Sequence, residues 1–222
     1  FNFNPKLFYN PNKKTALYFG VGITKENRKG GSMDKINNYD AWPYFYLDAQ
    51  ESSRTTTQFS ADYKLNENNS ITLKNSLSFF KRYIKIDENI LGSSIEFQGL
   101  QSNAFSEINY NFTKNNQNIN LGVNSSFDYF SEEGGINFGF RGQQYNTQGL
   151  YINHLWDITD KFALESGLRT DKVEISKDVI GVVAKQSFTL PKISALYKLT
   201  PEFAIRLGGG MGYRMPSLFS EE

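Results

Sequence analysis

The sequence predicts an all-β fold, an antiparallel up-and-down segment of a transmembrane β-barrel with about ten strands. Three observations carry that prediction. Apolar residues alternate with small or polar ones in run after run. Tight Asn/Pro-type turns and long polar connections join the runs by turns. No apolar stretch reaches the roughly 18 residues that a membrane-spanning helix needs. The alternation is plain at 203–213, where Phe203, Ile205, Leu207, Gly209, Met211 and Tyr213 fall on one face. Ala204, Arg206, Gly208, Gly210 and Gly212 fall on the other. A soluble strand would bury the apolar face in a core, whereas a barrel strand turns it to lipid and keeps the small or charged face in a wet lumen.

The first run covers about 3–10, with Phe3, Leu7 and Tyr9 on one face, and a Pro/Asn turn follows at 10–14. The second, about 15–28, sets Leu17, Phe19, Val21 and Ile23 against Ala16, Tyr18, Gly20 and Gly22. A long polar connection spans 29–53. The third run (54–65) turns at 66–69 into the fourth (70–86), which places Ile71, Leu73, Leu77 and Phe79 opposite Thr72, Lys74, Ser76 and Ser78. After a second long connection, the fifth run (98–113) turns at 114–117 into the sixth (118–131). There Ile119, Leu121, Val123, Phe127 and Tyr129 oppose Asn118, Asn120, Gly122, Asn124, Ser126 and Asp128. A Gly-rich loop leads to the seventh and eighth runs (146–157 and 162–176), and the ninth and tenth (187–199 and 203–213) meet at 200–202. Pro191 lacks a ladder donor, so a bulge or a strand start is expected around it.

Composition fits a barrel. Mean hydropathy is negative, as expected when only every second residue meets lipid. Twenty-four Lys and Arg balance 23 Asp and Glu, which gives no footprint for nucleic acid. Cysteine is absent, which removes disulfides, thiolate metal sites and cysteine nucleophiles. His154 is the single histidine, so neither a His-rich metal site nor a resident cofactor is expected.

Long connections collect on one rim and tight turns on the other, which in outer-membrane barrels are the extracellular and periplasmic rims. The first strand then runs inward and the tenth outward. Both ends would lie outside, so the chain is expected to be a contiguous part of a larger barrel. A partial sheet has two unpaired edges, so it is expected to rest against the remaining strands, a surface lipoprotein or barrel-assembly machinery.

Three motifs carry a resemblance. Segment 190–221 holds a Pro-x-hydrophobic strand, a short turn and a Gly-rich strand ending in Tyr213-Arg214-Met215-Pro216-Ser217. Glu26-Asn27-Arg28-Lys29-Gly30-Gly31 reads as a Glu-x-Arg-x-Gly-Gly corner, and Ala163 to Arg169 as a hydrophobic-x-x-Gly-hydrophobic-Arg strand. Together they resemble TonB-dependent outer-membrane receptors of the Bacteroidota type. The resemblance implies a barrel of about 22 strands around a plug. It also implies import of a scarce ligand (siderophore, haem or cobalamin) and coupling to a TonB-type protein through a plug outside this chain. It implies no enzyme activity, and it makes Glu26, Arg28, Gly30, Gly31, Arg214 and Pro216 corner residues.

Candidate sites follow from the same register. Trp42, Tyr44 and Tyr46, with Phe140 and Arg141, read either as an extracellular ligand platform or as an interfacial aromatic girdle. Asp62, Lys64, Lys74, Glu107, Glu165, Arg169, Asp171 and Arg206 project into the lumen, where they would line a ligand path or hold a plug. His154 and Ser166 on neighbouring strands raise the remote alternative of an outer-membrane esterase. A passive porin is the other class left open.

Overall fold

The computed structural model describes residues 1–32, 46–88, 93–133, 142–177 and 181–215. It is one antiparallel sheet of eleven strands. These are β1 (Asn2–Phe3), β2 (Lys6–Asn12), β3 (Thr15–Gly31), β4 (Tyr46–Lys64), β5 (Asn69–Glu88) and β6 (Ser93–Lys114), followed by β7 (Gln117–Glu133), β8 (Gly142–Asp157), β9 (Phe162–Lys177), β10 (Gly181–Lys198) and β11 (Ala204–Gly210). From β3 onward each strand pairs with the next in sequence. β1 and β2 lie along β3 in one register, Phe3 opposite Ile23 and Lys6 opposite Gly20. Pro5 between them has no N–H to donate, so one ribbon counts as two strands. Ten ribbons therefore stand where ten were expected.

The pairs run much further than the sequence pattern suggested. β3 continues to Gly31 and β4 begins at Tyr46, so much of the expected 29–53 connection is ladder. Its flanks are polar on both faces there, which removes the alternation that marks a strand. Pro191 needs neither bulge nor strand start. It pairs in register with Leu168, and its carbonyl accepts from Met211 N at 3.0 Å just past the end of β11. The missing donor thus points at a place where the ladder has already ended. The bulge in β10 lies at Val182/Ala184 instead.

Strand tilt can be read from the register. One cross-strand row joins Leu17, Ala61, Leu73, Ile108, Val123, Leu150, Thr170 and Thr189. Along it the tight-turn rim recedes: Leu17 stands two residues above Thr15, Ile108 six above Lys114 and Thr189 nine above Lys198. A drift of about one residue per strand, at ~3.4 Å rise and ~4.8 Å spacing, is a tilt of about 35°.

The two faces differ in character along most of the sheet. Phe19, Leu73, Ile108, Leu121, Val123, Leu150, Ile193, Ile205 and Leu207 stand exposed on one, Leu121 at 41% and Leu207 at 79%. Among the described residues the only buried apolar side chains are Val173 and Ile175. No second layer among the described residues covers the apolar face, so the sheet they form has no soluble core behind it. Among the described residues no helix is long and apolar enough to cross a membrane.

Candidate functional site

The other face is a ladder of paired polar groups. Glu165 accepts from Lys192 Nζ (2.8 Å) on one oxygen and Arg206 Nη2 (2.7 Å) on the other, tying β9, β10 and β11 together. Lys74 meets Glu107 at 3.1 Å, and Thr72 donates to Asp62 at 2.6 Å. Asn109 and Asn120 exchange amide bonds, and Asn109 also donates to Tyr151 OH at 2.8 Å. Arg169 bonds Asp171 (2.9 Å) and Asn124 (3.2 Å). Gly149 lies under these three: a Cβ there would come within 2.5 Å of Asp171 Oδ1 and 2.6 Å of Asn124 Oδ1. A larger residue there would have to displace these side-chain ends. The predicted inward residues thus share one face and mostly bond each other. Four of them, Lys74, Glu107, Glu165 and Arg169, line an open hollow of about 570 Å³ together with Tyr151 and Lys192.

Tyr213 departs from expectation. The chain leaves the ladder after Gly210, and the tyrosine swings to the polar face instead of continuing the apolar row. Its ring stacks on Phe188 with centroids 4.0 Å apart, and its hydroxyl donates to Asp171 at 3.0 Å.

Nearer the long-connection rim the polar face changes character. Phe80, Phe97, Phe130 and Tyr145 line a hollow of about 330 Å³ with Arg82, Gln101, Asp128 and Gln143. Beside it, Arg28, Arg54 and Arg82 line a second hollow of about 360 Å³ with Glu26 and Gln50, and Phe80 and Arg82 border both. Arg54 lies over the Phe80 ring at 4.7 Å. Arg82 Nη2 donates to Gln50 at 2.8 Å, and Arg28 Nε to Glu26 at 2.6 Å. β5 and β6 are 20 and 22 residues long, against about 9–11 needed to span a bilayer, so these hollows sit on wall that extends past the hydrocarbon.

Sequence reasoning missed this group except for Glu26 and Arg28, which it read as corner residues. The available signal was parity: Phe80 occupies an even, polar-face position of its strand, where lipid contact cannot account for an aromatic ring. Of the predicted platform, Trp42, Tyr44, Phe140 and Arg141 lie outside the described residues. Tyr46 is exposed at the start of β4, its carbonyl accepting from Ser32 N at 2.8 Å.

Glu26, Arg28 and Gly30 form no corner. They sit within paired β3, and only Gly31, at φ +115, has the turn conformation that favours glycine. Arg214 is exposed beyond β11, and Pro216 lies outside the described residues. Lys64 pairs with Ser70 beside the tight turn. His154 and Ser166 are direct cross-strand partners on the apolar face. Yet His154 Nε2 is buried without a hydrogen bond, and the ring stacks with Trp156 at 6.2 Å. A Ser–His hydrolase needs that missing contact.

A sheet that is apolar and uncovered on one side, charged on the other and tilted by about 35° is the wall of a transmembrane β-barrel. Residues 1–220 match the family described as TonB dependent receptor-like, beta-barrel, and the chain belongs to that family. The apolar face is the lipid face and the polar face lines the lumen. Among solved structures, the copper transporter OprC shares the fold at TM-score 0.74 and 9% identity, over 98% of this chain and 37% of that one. The open form of the ferric-catecholate import receptor Fiu from E. coli K12 does so at 0.63 and 14%, over 90% and 44%. The ferric citrate transporter FecA does so at 0.64 and 13%, over 94% and 35%. At these identities the likeness is one of fold, and the chain spans less than half of each. No curated protein matches.

Proposed function

We propose that this chain is part of the wall of an outer-membrane importer for an anionic, aromatic-bearing chelate of the siderophore class. The long connections face outward and the tight turns face the periplasm. The observation that carries the reading is the junction of an aromatic and an arginine-lined hollow at Phe80 and Arg82. Guanidinium groups take carboxylate or catecholate oxygens through charge-assisted hydrogen bonds, and aromatic side chains stack on planar rings. Fiu and FecA are named for ferric catecholate and ferric citrate, both anionic chelates. Haem and cobalamin, the other classes the resemblance implies, make less use of three arginines. Below this vestibule, the ladder of Lys74, Glu107, Glu165, Arg169 and Arg206 offers paired charges to a plug, and the plug would meet the TonB-type protein.

The test uses the full-length receptor in nanodiscs, titrated calorimetrically with trianionic ferric tris-catecholate and with neutral ferric tris-hydroxamate. Arg54→Gln with Arg82→Gln should weaken the catecholate roughly tenfold or more and leave the hydroxamate unchanged. Equal responses to the two chelates would refute the anionic reading. Conductance independent of any ligand would favour a passive pore.

A further inference from the structure

We infer that Asp128 is a specificity-determining residue of the vestibule. Among anionic aromatic chelates it selects those that also carry an ammonium group on the aromatic end. The inference rests on the import reading above and narrows its ligand to a zwitterion. Among the described residues Asp128 is the one carboxylate that lines the aromatic hollow, where the one cation is Arg82. No described lysine or arginine forms an ion pair with it. Elsewhere on the lumen face carboxylates are matched. Arg28 meets Glu26, Lys74 meets Glu107, Lys192 and Arg206 meet Glu165, and Arg169 meets Asp171.

The carboxylate is positioned without being neutralised. Asn103, its direct cross-strand partner, donates to Oδ2 at 2.5 Å. Gln101 Nε2 reaches Oδ1 and Oδ2 alike at 3.3 Å. Both donors are neutral amides. A carboxylate offers about four acceptor positions, and Oδ1 has only that long, shared contact. It stays open to a stronger donor from the hollow. An ammonium group there gains a charge-assisted hydrogen bond, and the aromatic rings that line the same hollow favour a cation beside them.

The register sets the span of the ligand. Arg54, Phe80, Gln101 and Phe130 form one cross-strand row, and Asp128 lies two residues from Phe130 toward the tight turns. Three strand spacings and two residues place Asp128 about 16 Å from Arg54, backbone to backbone. Gly99 floors the hollow beneath converging rings, since a Cβ there would come within 3.0 Å of Phe97 and 3.2 Å of Phe130. A planar ring on this floor, its oxyanions toward Arg54 and Arg82, can hold a short substituent at the carboxylate. The unmatched charge also repels a ligand that is anionic throughout. It therefore weakens the plain chelate and strengthens the zwitterion, which is discrimination by both attraction and repulsion.

The experiment titrates the full-length receptor in nanodiscs calorimetrically with two ferric tris-catecholates. One bears a primary ammonium group on an aryl arm, and in the other that amine is acetylated. The wild type should bind the ammonium form roughly tenfold more tightly. Asp128→Asn should bring the two chelates to equal affinity. Glu174→Gln, which removes an outer-face carboxylate paired with Lys185, should keep the preference. A merely structural Asp128 would weaken both chelates alike in Asp128→Asn and leave the preference in place, which would overturn the inference. Loss of the preference in Glu174→Gln would overturn it too. If Asp128→Asn does not fold, Asp128→Ser is measured instead, and a preference that survives there counts against it. A wild type that binds both chelates equally would refute selection by Asp128 alone. A wild type that binds neither would refute the import reading beneath it.

Discussion

Arg54 and Phe80 are direct cross-strand partners on β4 and β5, and the guanidinium carbon lies over the ring, 4.7 Å from its centroid. The ring holds the cation without neutralising it, so the charge stays available on the lumen side. Phe80→Leu keeps apolar bulk but releases the guanidinium. A contact of this kind contributes about 0.5–1 kcal/mol at an exposed site, so affinity for an anionic chelate should fall about threefold with little change in fold stability. Titration calorimetry and denaturant unfolding of the full-length receptor read the two effects separately.

Glu165 joins three strands through Lys192 and Arg206. Glu165→Gln leaves two cations facing each other across β10 and β11. Both partners are well exposed, so the loss should stay near 1 kcal/mol and shrink as salt is raised. Urea unfolding in lipid vesicles at low and high ionic strength tests the size and the salt dependence together.

Val123 is half exposed on the lipid face, six residues above the start of β7 and near the bilayer midplane. Val123→Arg should cost about 2–4 kcal/mol there. Ser76→Arg, at an even position of β5 that faces the lumen, should cost less than about 1 kcal/mol, because water and polar groups receive the charge. Vesicle folding titrations of the pair compare the faces directly.

Gly149 lies beneath Asp171, Asn124 and Arg169, with Arg169 Nη2 2.7 Å from where a Cβ would sit. Gly149→Ala must shift these side-chain ends and should destabilise by about 1 kcal/mol, the lower end of an overpacking cost. The same urea experiment measures it, and Asn124→Ala, which removes the acceptor of the Arg169 bond, should cost a comparable amount.

The sequence makes the membrane wall legible because alternation is the direct imprint of two media on one ribbon. Facing could be assigned for Asp62, Glu107, Glu165 and Arg206 from parity alone, and the tight turns fell where Asn, Pro and Thr stand. Strand length was not legible. Above the membrane both faces of β3 and β4 meet water, the alternation fades, and ladder such as Lys29 to Gly31 with Leu47 to Ser53 reads as loop. The Arg54–Phe80–Arg82 group was hidden for a different reason: parity put its residues on the polar face, but only the cross-strand register brings Arg54 and Phe80 together. Tyr213 shows a second limit: once a strand ends, parity no longer fixes facing, and a stacking partner such as Phe188 decides it.

The account stands on lipid contact at the apolar face, and collision accessibility of nitroxide labels tests it most directly. Labels would be placed one at a time through Val123→Cys, Leu150→Cys and Ile205→Cys, and for the lumen through Ser76→Cys and Asn120→Cys, in the full-length protein in vesicles. The first three should collide with oxygen dissolved in the lipid and be shielded from an aqueous nickel chelate, and the other two should show the reverse. Labels at 123, 150 and 205 shielded from both reagents would mean a protein layer covers that face, and the barrel wall and everything built on it would be wrong.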